Sequence, residues 1–322
     1  MTMENEPRNR SLAAWGRRAA IRLGTTVTAV VGIMSLCGFL AAWGWPLELL
    51  CHFRVQYSLL FLSLSVTMAL LRSWRCAGIC LALAVVNGWE VAPYYVGSVP
   101  GAGSPTSLRV VSANLFSGNR EPEVAMEFLE TCDADVIAVY EVTPAWERRL
   151  WDGLREYSYR CVEPRADNYG IALYSRLPFE AVEVVALSSG NLAIQAEFAH
   201  AGTQMRLIAA HASSPGGIRT AQRNDQLRRL GELAGESTVP VILVGDLNIT
   251  PFSPSFRELC VAGGLRDGRR GHGVCASWPA GRSVLAIPID HCLVRDCQVG
   301  FATGPDIGSD HLPLIVDVRE EE

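Results

Sequence analysis

The 322-residue chain contains no lysine: all 28 of its basic residues are arginine. Arginines spread over every segment cannot all read phosphates bidentately, so the bias assigns no function by itself. Charge is scarce too. With 19% charged and 49% hydrophobic residues, the chain is too apolar for intrinsic disorder and greasier than an ordinary soluble protein. No CxxC pair occurs among the ten cysteines, which removes the usual thiolate zinc and dithiol redox motifs. There is no internal repeat and no low-complexity tract. Basic surface is missing from the C-terminal two thirds. Residues 1–100 hold 8 Arg against 4 acids, whereas residues 101–322 hold 20 Arg against 29 acids. That balance weighs against non-specific binding of duplex DNA, which needs cationic neutralisation of phosphates.

What is present begins with long apolar runs. Residues 23–47 carry no charge over 25 positions, residues 55–71 none over 17, and residues 76–89 none over 14, the last continuing through Glu90 to Val96. A membrane span needs about 20 apolar residues. The pattern predicts three transmembrane helices within 23–96, the second with Arg54 snorkelling to the interface and the third with Glu90 near its end. A cleaved signal peptide followed by a buried helical hairpin is the alternative. The N-terminal tail, 1–22, holds Arg8, Arg10, Arg17, Arg18 and Arg22, and the second connection holds Arg72 and Arg75. The first connection holds only Arg54. Positive charge stays in the cytoplasm. The expectation is therefore a multi-pass protein of the cytoplasmic membrane with everything after the third span outside, and with the lipid bilayer as its partner. No obligate protein partner is implied. Residues 97–107 (GSVPGAGSPTS) read as a linker.

Residues 108–322 suffice for one α/β domain. Short apolar runs recur at 108–113, 135–140, 170–175, 193–198, 205–211, 239–245, 287–294 and 312–318, with helical spacing at 121–132 and 218–233. Strands outnumber long helices, which predicts packed sheets flanked by helices. Several runs end in a polar residue: Asn114, Glu141, His211, Asp246 with Asn248, and Asp310 with His311. One acid at a strand end is commonplace as a cap or turn residue. Oxygen donors from separate strands converging on one edge make a hard-cation site of the kind Mg²⁺ prefers. Six cysteines (Cys132, Cys161, Cys260, Cys275, Cys292, Cys297) fall in this domain, and an exported domain permits disulfides; the expected pairs are Cys292 with Cys297 and Cys260 with Cys275, against the alternative that several are small buried apolar residues.

The segments SANLFSGN (112–119), DVIAVYEV (135–142), YGIALYSRLP (169–178), AAHASSP (209–215), GDLNITPFSP (245–254), IDHCLV (289–294) and GSDHLPL (308–314) resemble, in order, the motif series of the endonuclease/exonuclease/phosphatase superfamily. The resemblance implies a two-sheet α/β sandwich with its metal site at one edge. It implies Glu141 as principal Mg²⁺ ligand (Mn²⁺ being possible), Asn114 helping to position that ion, and Asp310 as a further metal ligand. Asp246 would orient or deprotonate the attacking water. Asn248 and His211 would hold phosphate oxygens, and His311 would contact the scissile phosphate with Asp290 fixing its tautomer. Such chemistry is water attack on phosphorus and needs no covalent protein nucleophile. Arg176 either faces an anionic substrate or closes a turn. The chain departs from the common pattern at Tyr140, where Gln usually precedes the Glu. Three spans ahead of such a domain are similar to the membrane-anchored phosphatases of the teicoplanin-resistance type, which implies a lipid-linked phosphate or pyrophosphate as substrate, with nucleic acid the alternative.

Overall fold

The computed structural model describes residues 5–97 and 107–320. The chain forms two compact units, one ending at Ala92 and one beginning at Pro93. The expected linker, 97–107, lies outside the described residues except for its ends, Gly97 and Ser107.

The first unit is helical: α1 (Asn5–Cys37), a 3-10 turn (Gly38–Trp43), α2 (Trp45–Cys51), α3 (Arg54–Leu70) and α4 (Trp74–Val91). Two stretches, Ala14–Trp43 and Trp74–Tyr94, are long and apolar enough to cross a membrane. Helices α2 and α3 make a third only as a pair bent by 58°. The uninterrupted run at 23–47 is therefore not one helix. It tightens at Gly38, where a side chain would meet the Leu50 carbonyl, and restarts behind Gly44 with Pro46 in the first turn of α2, the position at which a missing N–H costs nothing. Arg54 does not snorkel. It is 2% exposed, donates from Nη1 to the Ser35 carbonyl and to Asn87 Oδ1, both at 3.0 Å, and its guanidinium lies 3.6 Å from the centre of the Phe39 ring. Buried among helices, a charged group has to find such partners within the protein.

The second unit is a four-layer sandwich. One six-stranded sheet has the order β11-β12-β1-β2-β4-β3, the other β5-β6-β7-β8-β10-β9. The strands are β1 (Leu108–Asn114), β2 (Val136–Tyr140), β3 (Tyr159–Glu163), β4 (Ile171–Ser175), β5 (Ala181–Ala186), β6 (Leu192–His200), β7 (Thr203–His211), β8 (Val241–Asp246), β9 (Arg266–Asp267), β10 (Asp290–Arg295), β11 (Cys297–Thr303) and β12 (Leu314–Glu320). Helices α5 (Pro122–Thr131) and α6 (Pro144–Gly153) cover the first sheet, and α7 (Ile218–Gly235) and α8 (Pro254–Gly263) the second. The central pairs β1/β2 and β7/β8 are parallel, and their other neighbours antiparallel.

Period-two alternation sorts the strands' side chains into layers. Leu108 and Val110 of β1, Ile242 and Val244 of β8, Leu207 and Ala209 of β7, and Cys292 and Val294 of β10 all enter the core between the sheets. Val111 and Ala113 face α5, and Leu243 faces α7 and α8. Extending each inward row to the edge reaches Asn114, Asp246, His211 and Asp290. The polar residues thus end apolar rows, and the parallel pairing of β1 with β2 and of β7 with β8 sends those ends to one edge.

No disulfide joins the cysteines among the described residues. Cys292 and Cys297, one expected pair, are thiols in the inter-sheet core; Cys260 and Cys275, the other pair, are thiols too, with Cys275 Sγ 3.4 Å from the His272 carbonyl. Burial pushes the Cys292 thiol well above its ordinary value, the behaviour of a small apolar side chain.

Backbones approach closely at Gly245, where a Cβ would run into the Ala210 carbonyl of β7. Gly245→Ala should therefore cost about 1–3 kcal/mol, read as a lowered midpoint in thermal unfolding of the full chain in detergent, whereas Ala210→Gly should cost less.

Candidate active site

Asn114, at the end of β1, sits between two carboxylates. Its Nδ2 lies 3.0 Å from Asp246 Oδ2 and 3.3 Å from Glu141 Oε1. Its own Oδ1 accepts from the Phe116 N–H at 2.9 Å, which settles which amide atom faces the acids. Glu141 follows β2 in a left-handed conformation (φ 60°), which turns its side chain out of the strand's alternation and onto the Ser117 N–H, 2.7 Å away. Phe116 (φ 56°) and Asn248 (φ 51°) are also left-handed. Such conformations cost on the order of 1 kcal/mol or more each for a side chain other than Gly or Asn, and they cluster where function dictates geometry. Gly170 permits the turn from the other side, because a Cβ there would strike the Val142 carbonyl.

The second sheet contributes the rest. Asp246 Oδ1 accepts from the Asn248 N–H at 3.0 Å. Asp246 Oδ2 lies 3.4 Å from His211 Nε2 and 3.6 Å from His311 Nε2. His311, in the turn before β12, directs Nδ1 at Asp290 Oδ2, 2.8 Å away, and Asp290 also accepts from Ser277 Oγ at 2.6 Å. Asp246, Asp290 and His311 offer ligand atoms within 4.8 Å of one another, but the Asp290 contact occupies His311 Nδ1, so this trio reads as a hydrogen-bond relay. Asn248 Nδ2 donates to the Ala212 carbonyl at 2.9 Å. Asp310 Oδ2 accepts from Trp278 Nε1 at 3.1 Å, while its Oδ1 is buried with no hydrogen-bond partner among the described residues.

Electrostatics follow from burial and charge pairing. Burial pushes Asp246 upward, but the His311 and His211 imidazoles and the Asn114 amide outweigh it and hold the carboxyl down at about 2. Burial pushes His311 down, and Asp290 and Asp246 override it, raising the imidazole to about 10. Around neutral pH the pair is carboxylate and imidazolium. The remaining oxygens (Glu141, Asp246, an orphaned Asp310 Oδ1) form a hard, anionic donor set, which fits a divalent cation of the Mg²⁺ type better than a thiophilic one.

Of the nine expected site residues, eight meet at this edge. Arg176 does not. It follows β4, which runs antiparallel to β2 with Ser175 opposite Val136, the end of β2 remote from Glu141. There it pairs with Asp133 at 2.7 Å and Glu156 at 2.9 Å, so it closes a turn and binds no substrate at this cluster. Sequence reasoning missed Ser277, Trp278 and Ser309, whose Oγ donates to the Asn114 carbonyl at 2.7 Å; of these only Ser309, inside GSDH, carried a signal. His291 is wholly buried, holds the Ile249 carbonyl at 2.8 Å through Nε2 and lies 3.1 Å from Arg269 Nη1 through Nδ1. Burial, with Arg269, keeps it neutral, and it steadies the segment that carries Asn248.

The profile described as Endonuclease/Exonuclease/phosphatase family matches residues 111–311. The chain belongs to that family. Among solved structures of the same fold, the humanized TDP2 of D. rerio superimposes with a TM-score of 0.57 at 17% identity, covering 66% of this chain and 99% of that one. An endonuclease/exonuclease/phosphatase family protein from Bacteroides thetaiotaomicron gives 0.56 at 20%, covering 67% and 98%. A double mutant of beta toxin from Staphylococcus aureus, solved with bound magnesium ions, gives 0.54 at 15%, covering 66% and 99%. No curated protein matches the chain in sequence. Family members are metal-dependent phosphoesterases and nucleases, and the chain is an enzyme of that class.

Because folding raises the His311 pKa, the stabilisation it brings is complete below its ordinary 6.5 and is lost as pH rises through about 10. Asp290→Asn removes the leading raising partner, so the His311 midpoint, followed by NMR, should move down towards 6.5. Its effect on turnover should add little to that of His311→Ala, since the two act as one unit.

Proposed function

We propose that the chain is a membrane-anchored, Mg²⁺-dependent phosphoester hydrolase whose catalytic unit lies outside the cytoplasmic membrane and acts on a lipid-linked phosphate or pyrophosphate. The observation that carries this reading is the union in one chain of a complete family site with helices apolar enough to cross a bilayer. A site tethered to a membrane meets lipid-borne phosphates at high effective concentration. Nucleic acid is the weaker reading, given 20 Arg against 29 acids in residues 101–322.

Glu141 and Asp310 would hold the cation, with Asn114 keeping Glu141 and Asp246 in register; Mn²⁺ is an alternative occupant. When bound, the cation supplies positive charge opposite the oxygens on which charge develops. Asp246, ionised throughout the neutral range, orients the attacking water towards phosphorus. His311, as imidazolium braced by Asp290, donates from Nε2 to a phosphate oxygen and disperses the charge of the transition state. His211, whose Nε2 also faces Asp246, is a second donor to the phosphate, and Asn248 contributes its amide. As the water–phosphorus bond forms and the bond to the ester or anhydride oxygen breaks, the water gives its proton to Asp246 and the leaving oxygen takes one from the His311 imidazolium; transfer from Asp246 to His311 Nε2, 3.6 Å away, then restores both groups.

Glu141→Gln keeps side-chain volume and removes the charge, so turnover should fall by roughly two orders of magnitude or more with folding intact; wild-type turnover in excess EDTA would refute the metal assignment. Reporter fusions after Ser107 should be active outside the cytoplasm and fusions at 72–75 inside it.

A further inference from the structure

We infer that two loops at the mouth of the site, residues 279–287 and 212–219, form a rim that touches the surface of a phospholipid bilayer. The inference rests on the membrane-anchored reading above and goes beyond it by naming the surface that meets lipid.

The first loop leads from Trp278 into β10. Trp278 and Ile287 close its base, each N–H donating to the other's carbonyl at 3.2 and 2.6 Å. The Ala280 N–H donates to the carbonyl of Asp310 at 2.8 Å, so the loop is fastened to the catalytic turn itself. Its tip is folded over by the N–H groups of Leu285 and Ala286, both reaching the Arg282 carbonyl. This turn leaves Val284 80% and Leu285 55% exposed. Isolated exposed apolar side chains need no explanation, but two in succession on a hydrogen-bonded tip beside Asp310 present a defined apolar point. The second loop leaves His211 at the same edge and ends on Ile218, 77% exposed at the start of α7.

Charge identifies the occupant. Acids outnumber arginines in residues 101–322, yet neither 212–219 nor 279–287 contains one acid, and each carries an exposed arginine, Arg219 and Arg282. Apolar tips flanked by arginine suit the interface of an anionic bilayer, where the side chains enter the headgroup boundary and the guanidinium meets lipid phosphate. A nucleic acid would require a far denser array of cations.

The full chain can be reconstituted into vesicles of phosphatidylcholine and phosphatidylglycerol with a benzophenone side chain at position 285 or, as control, at position 261. Val261 is 82% exposed at the opposite edge, where Arg295 at the far end of β10 holds the carbonyl of Gly263 at 3.2 Å. Photolysis should give lipid adducts severalfold more abundant at 285 than at 261. Alongside, the Val284→Asp, Leu285→Asp double variant should lose about tenfold in turnover of vesicle-borne polyprenyl diphosphate and keep its rate on a water-soluble phosphoester. Equal lipid labelling at 285 and 261, or adducts to protein in place of lipid, overturns the rim even if the wild type hydrolyses the lipid. Excess labelling at 285 in a protein that leaves polyprenyl diphosphate untouched upholds the rim and overturns the lipid-substrate reading instead.

Discussion

The hydrogen bond from Asn114 to Asp246 spans the gap between the two sheets, and the site's geometry depends on it. The residues are 132 positions apart in sequence and 3.0 Å apart in space. Each ends a row of core side chains, so the contact exists only when both rows are packed in register. Glu141 then has a fixed neighbour, because the same amide reaches it. Asp246 in turn gathers His211 and His311, which approach it from β7 and from the turn before β12.

Bringing this many ionisable groups together in a buried place is costly unless their charges compensate. The compensation is visible in the pairs: imidazolium against Asp246 and Asp290, the Asn114 amide against Asp246 and Glu141, and the Ser117 N–H against Glu141. In the proposed function a cation at Glu141 and Asp310 would complete it, the Asp310 Oδ1 atom having no hydrogen-bond partner among the described residues. Behind the site, Arg269 serves a similar purpose for Asp267 and the Asp290 carbonyl.

Much of the domain was legible because strands announce themselves locally. Runs such as VPVILVG read as a buried strand, and a polar terminus on several of them pointed to one edge. What was not legible depends on direction and on distant packing. Arg176 follows a strand as Asp246 does, but β4 runs against β2, and the reversal carries its end to the wrong edge; nothing within YGIALYSRLP encodes that. Asp290 and His291 are neighbours with opposite fates, since alternation sends the first into the inter-sheet core and the second towards α8. Trp278 joins Asp310 across 32 positions without a shared motif. Among the helices, Arg54 was expected at a water interface because its span is short, whereas the bend between α2 and α3 places it against Ser35 and Asn87. Tyr140, a departure from the family pattern, finds its place in the core with its hydroxyl 3.1 Å from Ser112 Oγ.

The inter-sheet core acts as a spacer as well as a source of stability. Facing sheets stand about 10 Å apart, a distance set by the side chains between them. Here those side chains include Tyr140, Phe198 and Phe301, and the spacing they impose sets how the two jaws of the candidate site meet, since Asn114 belongs to one sheet and Asp246 to the other. A methylene added or removed deep in that layer, well away from any phosphate, would widen or narrow the jaws and change how tightly a cation or phosphoryl group is gripped. The caliper of this enzyme is thus machined in its hydrophobic interior.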